Sequence, residues 1–155
     1  MKTLFNGTLF ADYHQFYLTG AERATDYSDG MTEQALAARL VWKDEVLAVV
    51  TARDMDVPIT VEFFDAKPEI DLDNADHVVE AGLRSSGTLA IAGCTDYFPD
   101  AARFSVPAGD LEARVVMTGL GTISEDGLDG HDRYVIQLWP GKAQAVQVLK
   151  QWQKD

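Results

Sequence analysis

The sequence predicts a mainly β protein, an antiparallel β-sandwich or open barrel, on three observations. Short apolar runs of alternating character recur along the chain, clusters of Gly, Pro, Asp and Asn separate them, and helical periodicity is almost absent. The 155 residues are close to the length of one domain and 46% of them are hydrophobic, so one shared core and a single sandwich domain over residues 1–155 are expected.

The first apolar run covers residues 4–10. Residues 13–18 follow, with Tyr13, Gln15 and Tyr17 alternating against His14, Phe16 and Leu18, which reads as a strand. Residues 21–33 contain the turn formers Asp26, Ser28, Asp29 and Gly30 and read as a loop. Alternation resumes over 38–42 and 46–52 around the charged turn Lys43-Asp44-Glu45, a hairpin pattern. Residues 57–65 are the next strand, and 66–76 are too polar and too broken to be anything but a connection. Two further hairpins are predicted, one from 77–85 and 88–94 around Ser85-Ser86-Gly87, the other from 102–106 and 111–118 around Pro107-Ala108-Gly109-Asp110. A Gly- and acid-rich loop over 119–132 precedes the last clear strand, 133–139. Ala145, Val148, Leu149 and Trp152 fall at i, i+3, i+4 and i+7, a stripe that predicts one short C-terminal helix. At that length a strand or loop is the alternative, because a helix of about a dozen residues is marginal without docking.

Lys and Arg total 13 against 25 Asp and Glu, a formal charge of −12. Such a field repels nucleic acid and anionic membranes and attracts basic proteins and cations, which argues against direct nucleic-acid binding. The bland reading of the same charge is solubility. Cys94 is the only cysteine, so the fold does not depend on an internal disulfide or an oxidising compartment. Residues 1–10 lack the continuous apolar core of a secretory signal, and no run approaches the roughly 18 to 20 apolar residues of a membrane span, so a cytoplasmic location is expected.

Nucleophilic catalysis needs a nucleophile, a base within reach and a group that orients the base. Three dispersed histidines, His14, His77 and His131, do not supply that pattern: His14 reads as a packed, hydrogen-bonded residue in an aromatic strand, and His77 as a charge balance after an acidic loop. Cys94 ends the apolar run 89–93 and is expected to be buried and inert. Phosphate-loop, dinucleotide and zinc motifs are missing, and neither a catalytic set nor a cofactor is predicted.

Carboxylates are concentrated in two places. Residues 124–132 hold Asp126, Asp129 and Asp132 on a glycine-flexed loop, which reads first as a solvated acidic surface. The alternative is a calcium- or small-ligand-binding sandwich that uses those three oxygen donors, although EF-hand spacing is missing. Asp65, Glu69, Asp71, Asp73, Asp76 and Glu80 would join the same rim if both connections lay at one end of the sandwich. Thr95-Asp96-Tyr97-Phe98-Pro99-Asp100 sets aromatics beside carboxylates in a loop, so Asp96 and Tyr97 are either interface anchors or a lid on the core.

Tyr13-His14-Gln15-Phe16 resembles the corresponding strand of the competence protein J family, the DNA-entry nuclease inhibitors of competent bacteria. The resemblance extends to Asp26-Tyr27 in the following loop and to residues 102–110, an apolar strand ending in Pro and a Gly-Asp turn. The chain departs from the family in a longer centre over 65–93, in the 119–132 loop and in an extension after Trp139. The resemblance implies a non-enzymatic protein that binds and blocks a basic partner, a nuclease in the family's case, with acidic side chains imitating nucleic-acid phosphates. The expected contact residues are Tyr13, His14, Asp96, Tyr97, Asp126, Asp129 and Asp132.

Overall fold

The computed structural model describes residues 1–153. In chain order the strands are β1 (Lys2–Phe10), β2 (Gln15–Gly20), β3 (Leu40–Lys43), β4 (Val46–Val50), β5 (Asp56–Phe63) and β6 (His77–Ser85). They continue as β7 (Thr88–Gly93), β8 (Ala102–Ser105), β9 (Gly109–Thr118), β10 (Arg133–Pro140) and β11 (Gln147–Lys150), and one short helix, α1 (Glu33–Ala38), precedes β3. Six strands form one sheet in the order β1-β5-β10-β9-β6-β11, and five form a second in the order β3-β4-β2-β7-β8. Every pairing is antiparallel except β5 with β10. The protein is therefore mainly β, built as two mostly antiparallel sheets rather than a closed barrel.

Alternation explains the six-stranded sheet. In β5, Val57, Ile59 and Val61 are buried while the residues between them are partly exposed, so one face turns inward. Phe16, Leu18, Leu47, Val49, Leu89 and Ile91 meet that face from the five-stranded sheet in one continuous core. The central strands of the smaller sheet are apolar on both faces, because its outer face is covered as well: Tyr17, Val46, Ala48 and Ala92 pack beneath Tyr27, Met31, Ala35 and Phe98. On the outer face of the larger sheet, Glu80, Arg114 and Gln137 stand directly opposite one another on β6, β9 and β10. Arg114 bonds Glu80 at 2.8 Å, Gln137 at 3.1 Å and the Pro68 carbonyl at 2.9 Å, and lies over the Trp139 ring, so this buried cation is fully employed.

Four expectations are corrected. Residues 77–94 and 102–118 contain the predicted strands, but neither pair is a hairpin: β6 and β9 belong to the large sheet, β7 and β8 to the small one, so the Ser86 and Pro107 turns are corners between layers. Alternation marks a strand and its buried face without saying which sheet the strand joins. Residues 13 and 14 lie outside β2, in a turn at Asp12–His14. The 21–33 loop runs into α1, capped by the Thr32 hydroxyl, which accepts from the Ala35 N–H at 3.1 Å. The predicted C-terminal helix is instead β11, which pairs with the open edge of β6. Ala145 and Val148 are exposed, so the apolar stripe never gains the docking a short helix needs, whereas a strand finds backbone partners at once. No described helix is long and apolar enough to cross a membrane.

His77 fastens the segment after β11. Its Nε2–H donates to the Ala38 carbonyl at 2.8 Å and its Nδ1 accepts from the Trp152 N–H at 3.1 Å, an arrangement only the neutral ring can make. Burial, aided by Arg39, lowers its pKa from the ordinary 6.5, the Ala38 bond opposing. A depressed folded value means that the unfolded chain takes up the proton first, so the stabilisation is complete above about pH 6.5 and is lost as pH falls from there toward the folded value. Chemical denaturation as a function of pH should therefore show a midpoint that declines below about pH 6.5, and His77→Gln should flatten that decline.

Candidate functional site

The strand pairings place one set of connections at a single end of the sandwich. β1, β4, β7, β9 and β11 finish there, and β2, β3, β5, β6, β8 and β10 begin there. Residues 11–14, 51–55, 94–101 and 119–132 consequently share one rim.

Tyr13 and His14 form its centre. Both have left-handed backbones, φ 58° and 59°, which side-chain-bearing residues adopt at a cost of about 1–3 kcal/mol each. The turn is held by the Tyr13 N–H, which donates to Asp12 Oδ1 at 3.1 Å and Asp54 Oδ1 at 3.2 Å, and by the Thr51 N–H, which donates to the His14 carbonyl at 2.8 Å. The His14 ring is not packed away as the alternation implied. It is exposed, with Nδ1–H donating to the Thr51 carbonyl at 3.2 Å. That contact leaves Nε2 as the free edge of the ring. Tyr13 is 67% exposed.

Asp96 and Tyr97 join this surface because Gly93 pairs with Phe16. Asp96 Oδ2 accepts from the Gly93 N–H at 2.7 Å, and Tyr97 projects outward, 72% exposed, while its neighbour Phe98 packs inward over Tyr17. The loop thus covers the core through Phe98 while Tyr97 stays in solvent. A Cβ at Gly93 would sit 2.2 Å from the Phe10 carbonyl, so glycine lets β1 cross close to β7 and brings Asp12 beside this loop. Cys94, expected to be buried, is exposed, because β7 ends at Gly93 and the chain turns outward. Partial burial and Asp12 nevertheless push its thiol pKa up, away from a reactive thiolate.

Asp126 and Asp129 lie on the rim, but their loop is closed on itself. Asp126 Oδ1 accepts from the Ser124 hydroxyl at 2.6 Å and from the Leu128 N–H at 3.0 Å, and those bonds lower its pKa. Asp132 does not reach the surface at all. It is 0% exposed, with Oδ1 accepting from Arg53 Nε at 2.6 Å and Oδ2 from the Tyr134 hydroxyl at 2.7 Å. Asp126, Asp129 and Asp132 therefore do not converge as oxygen donors. Among the described residues no group of three or more His, Cys, Asp or Glu side chains is placed to hold a metal ion. Of the second acidic cluster, Asp73 and Asp76 precede β6 at this end, whereas Glu80 is turned to Arg114 and Lys67 within the sheet.

Between the rim elements lies a cleft of about 940 Å³, bordered by Tyr13, His14, Arg39, Thr51, Leu120 and Trp152. Arg39 and Trp152 were not legible in advance, since one follows the overlooked helix and the other was assigned to a helix that does not form. Among the described residues no imidazole is hydrogen-bonded to a Ser, Thr or Cys side chain: His14 and His77 meet backbone groups only.

The buried Arg53–Asp132 pair gives this end its rigidity. Removing one partner of such a pair leaves an uncompensated charge and costs about 3–5 kcal/mol. Asp132→Ala should destabilise by that order in chemical denaturation, whereas Asp129→Ala, at an exposed carboxylate, should leave the midpoint almost unmoved.

No family model and no curated protein matches the sequence. Solved structures do match its fold. ComJ from Bacillus subtilis, described as an inhibitor of the DNA-degrading activity of NucA, superposes with a TM-score of 0.70 at 15% identity, over 90% of this chain and 98% of that one. The protein described as crocagin biosynthetic gene J superposes with a TM-score of 0.56 at 16% identity, over 91% of this chain and 98% of its own. At such identities the likeness establishes a shared fold.

Proposed function

We propose that this chain is an inhibitor-type binding protein that docks a basic protein, a nuclease foremost, against the rim carrying Tyr13, His14, Asp96, Tyr97, Asp126 and Asp129. The observation that carries this reading is the whole-chain likeness in fold to ComJ, whose description names nuclease inhibition. Two physical features support it. The net charge of −12 would steer a positively charged partner over long range, and two exposed tyrosines among carboxylates have the make-up of interface anchors. Asp132, withdrawn into the interior, acts beneath the surface by holding it in place. The role is one of binding rather than catalysis, in one domain and in the cytoplasm.

Strained side-chain-bearing residues at the centre of the rim fit the same reading, because strain is retained where a side chain is needed. Tyr13→Gly relieves the left-handed strain and should raise stability by roughly 1 kcal/mol while weakening partner binding. Affinity capture from native cells should recover a basic nuclease whose association slows as salt rises. Replacing Asp96, Asp126 and Asp129 together by Asn should slow association about tenfold at low salt with little change in dissociation. No recovered partner in any growth state, or an association rate indifferent to salt, would refute the proposal.

A further inference from the structure

The chain's arginines are not treated alike. Arg53 bonds Asp132 and the Leu128 carbonyl, Arg114 bonds Glu80, Gln137 and the Pro68 carbonyl, and Arg103 reaches four backbone carbonyls. Arg23, Arg84 and Arg133 are exposed to water. Arg39 differs from both groups. It is half-buried at the C-terminal end of α1 and borders the 940 Å³ cleft, yet among the described residues its guanidinium has no ion-pair or hydrogen-bond acceptor. Burial pushes its pKa down, with Tyr134 opposing, the sign of a charge partly stripped of water. Among the described residues no fully buried side-chain nitrogen or oxygen lacks a partner, so the donors of Arg39 reach solvent, and the residue borders the cleft.

The rest of the cleft is selective. Gln15 is already occupied, donating to the Tyr13 carbonyl and accepting from Tyr27, which leaves, among the described side chains, Arg39, the free Nε2 edge of His14 and the Tyr13 hydroxyl as polar groups with spare capacity. Met31, Leu36, Leu120, Ile123 and Trp152 supply apolar wall. The volume is that of a small-molecule site, which typically takes about 300–1,000 Å³.

We infer that this cleft is a binding site for a small carboxylic acid with an apolar or aromatic body, the carboxylate received by the Arg39 guanidinium and the body lying against Trp152. A guanidinium presents a planar fork that matches a carboxylate, and an aromatic wall takes a flat apolar group. One cation compensates one negative charge. A dianion such as phosphate would keep a surplus charge inside a protein whose own charge is −12, so a monoanion is favoured. The site is independent of the nuclease reading.

The test uses the full chain, labelled at the tryptophan indole nitrogens, with the Trp152 signal assigned from Trp152→Phe. Titrating 4-hydroxyphenylacetate should move the Trp152 signal, its carboxamide should bind about tenfold more weakly, and inorganic phosphate should not compete. Arg39→Gln should weaken the acid about tenfold and change the carboxamide less than about twofold, with Arg39→Lys between. Equal affinity for acid and carboxamide, displacement by phosphate, an unaltered acid affinity in Arg39→Gln, or a Trp152 signal unmoved at about 20 mM acid would each overturn the site. The comparison of acid with carboxamide needs only the unmutated chain, so the decision does not hang on whether a variant folds. Acid that competes with a captured basic partner for the same Trp152 signal would place both on one surface, and acid that binds with no partner recovered would leave the cleft standing alone.

Discussion

One buried carboxylate joins the two sheets at the end where the site lies. Asp132 precedes β10 of the large sheet, while Arg53 and Ala52 follow β4 of the small one. Asp132 holds Arg53 through one oxygen and the Tyr134 hydroxyl through the other, and that hydroxyl accepts from the Ala52 N–H at 2.7 Å. Arg53 then reaches the Leu128 carbonyl, so the acidic loop after β9 is tied to the same point. Hydrophobic packing between sheets is non-directional and would tolerate sliding; a charge pair with three dedicated bonds does not. Thr51, beside this network, fixes both the backbone and the ring of His14. The rim therefore inherits its geometry from a group that no partner can touch.

The ion pairs divide into buried and exposed ones. Two arginines are buried against acidic partners, Arg53 with Asp132 and Arg114 with Glu80, and Lys43 and Lys67 are paired with Asp29 and Glu80. Surface pairs of the latter kind contribute little to stability, about 0–1 kcal/mol. Their effect is on the field: positive charge is partly neutralised near the sheets, and carboxylates stand in the connections at both ends, Asp96, Asp126 and Asp129 on the rim and Glu22, Asp44 and Asp65 at the other end. An acidic surface made this way is a by-product of where the strands end, since connections carry the polar residues that sheets cannot bury.

The same physics marks what could be read from the chain. The strands, the Lys43-Asp44-Glu45 hairpin and the sandwich were legible because a period of two, with turn residues between, is written into residues such as Val57, Ile59 and Val61. Sheet membership was not. β6 and β7 are separated by two residues and look like a hairpin, yet they part company at Ser86, and the pairing of β6 with β9 is a long-range choice that no local pattern encodes. At the site, Tyr13, His14, Asp96 and Tyr97 were legible as neighbours in a motif and a loop. The inward turn of Asp132 was not, because an acid-rich run looks uniformly solvated until one member meets a buried arginine. Arg39 and Trp152 were hidden for a simpler reason: α1 is six residues long and owes its place to a Thr32 cap and to packing, while β11 owes its place to an unsatisfied edge.

The left-handed pair at Tyr13 and His14 connects these levels. A strand continued through residue 13, as the alternation suggested, would place the His14 side chain with Phe16 and Leu18 on the core-facing side of the sheet. Core burial of an imidazole would then require a partner among apolar residues. Two consecutive positive φ values break the period, deliver the ring to the Thr51 carbonyl at the mouth of the cleft, and leave Tyr13 pointing to solvent. Glycine or asparagine would make the same turn at lower conformational cost, so the turn alone does not account for a tyrosine and a histidine there. What the turn does achieve is position: both side chains border the same cleft as the half-buried Arg39.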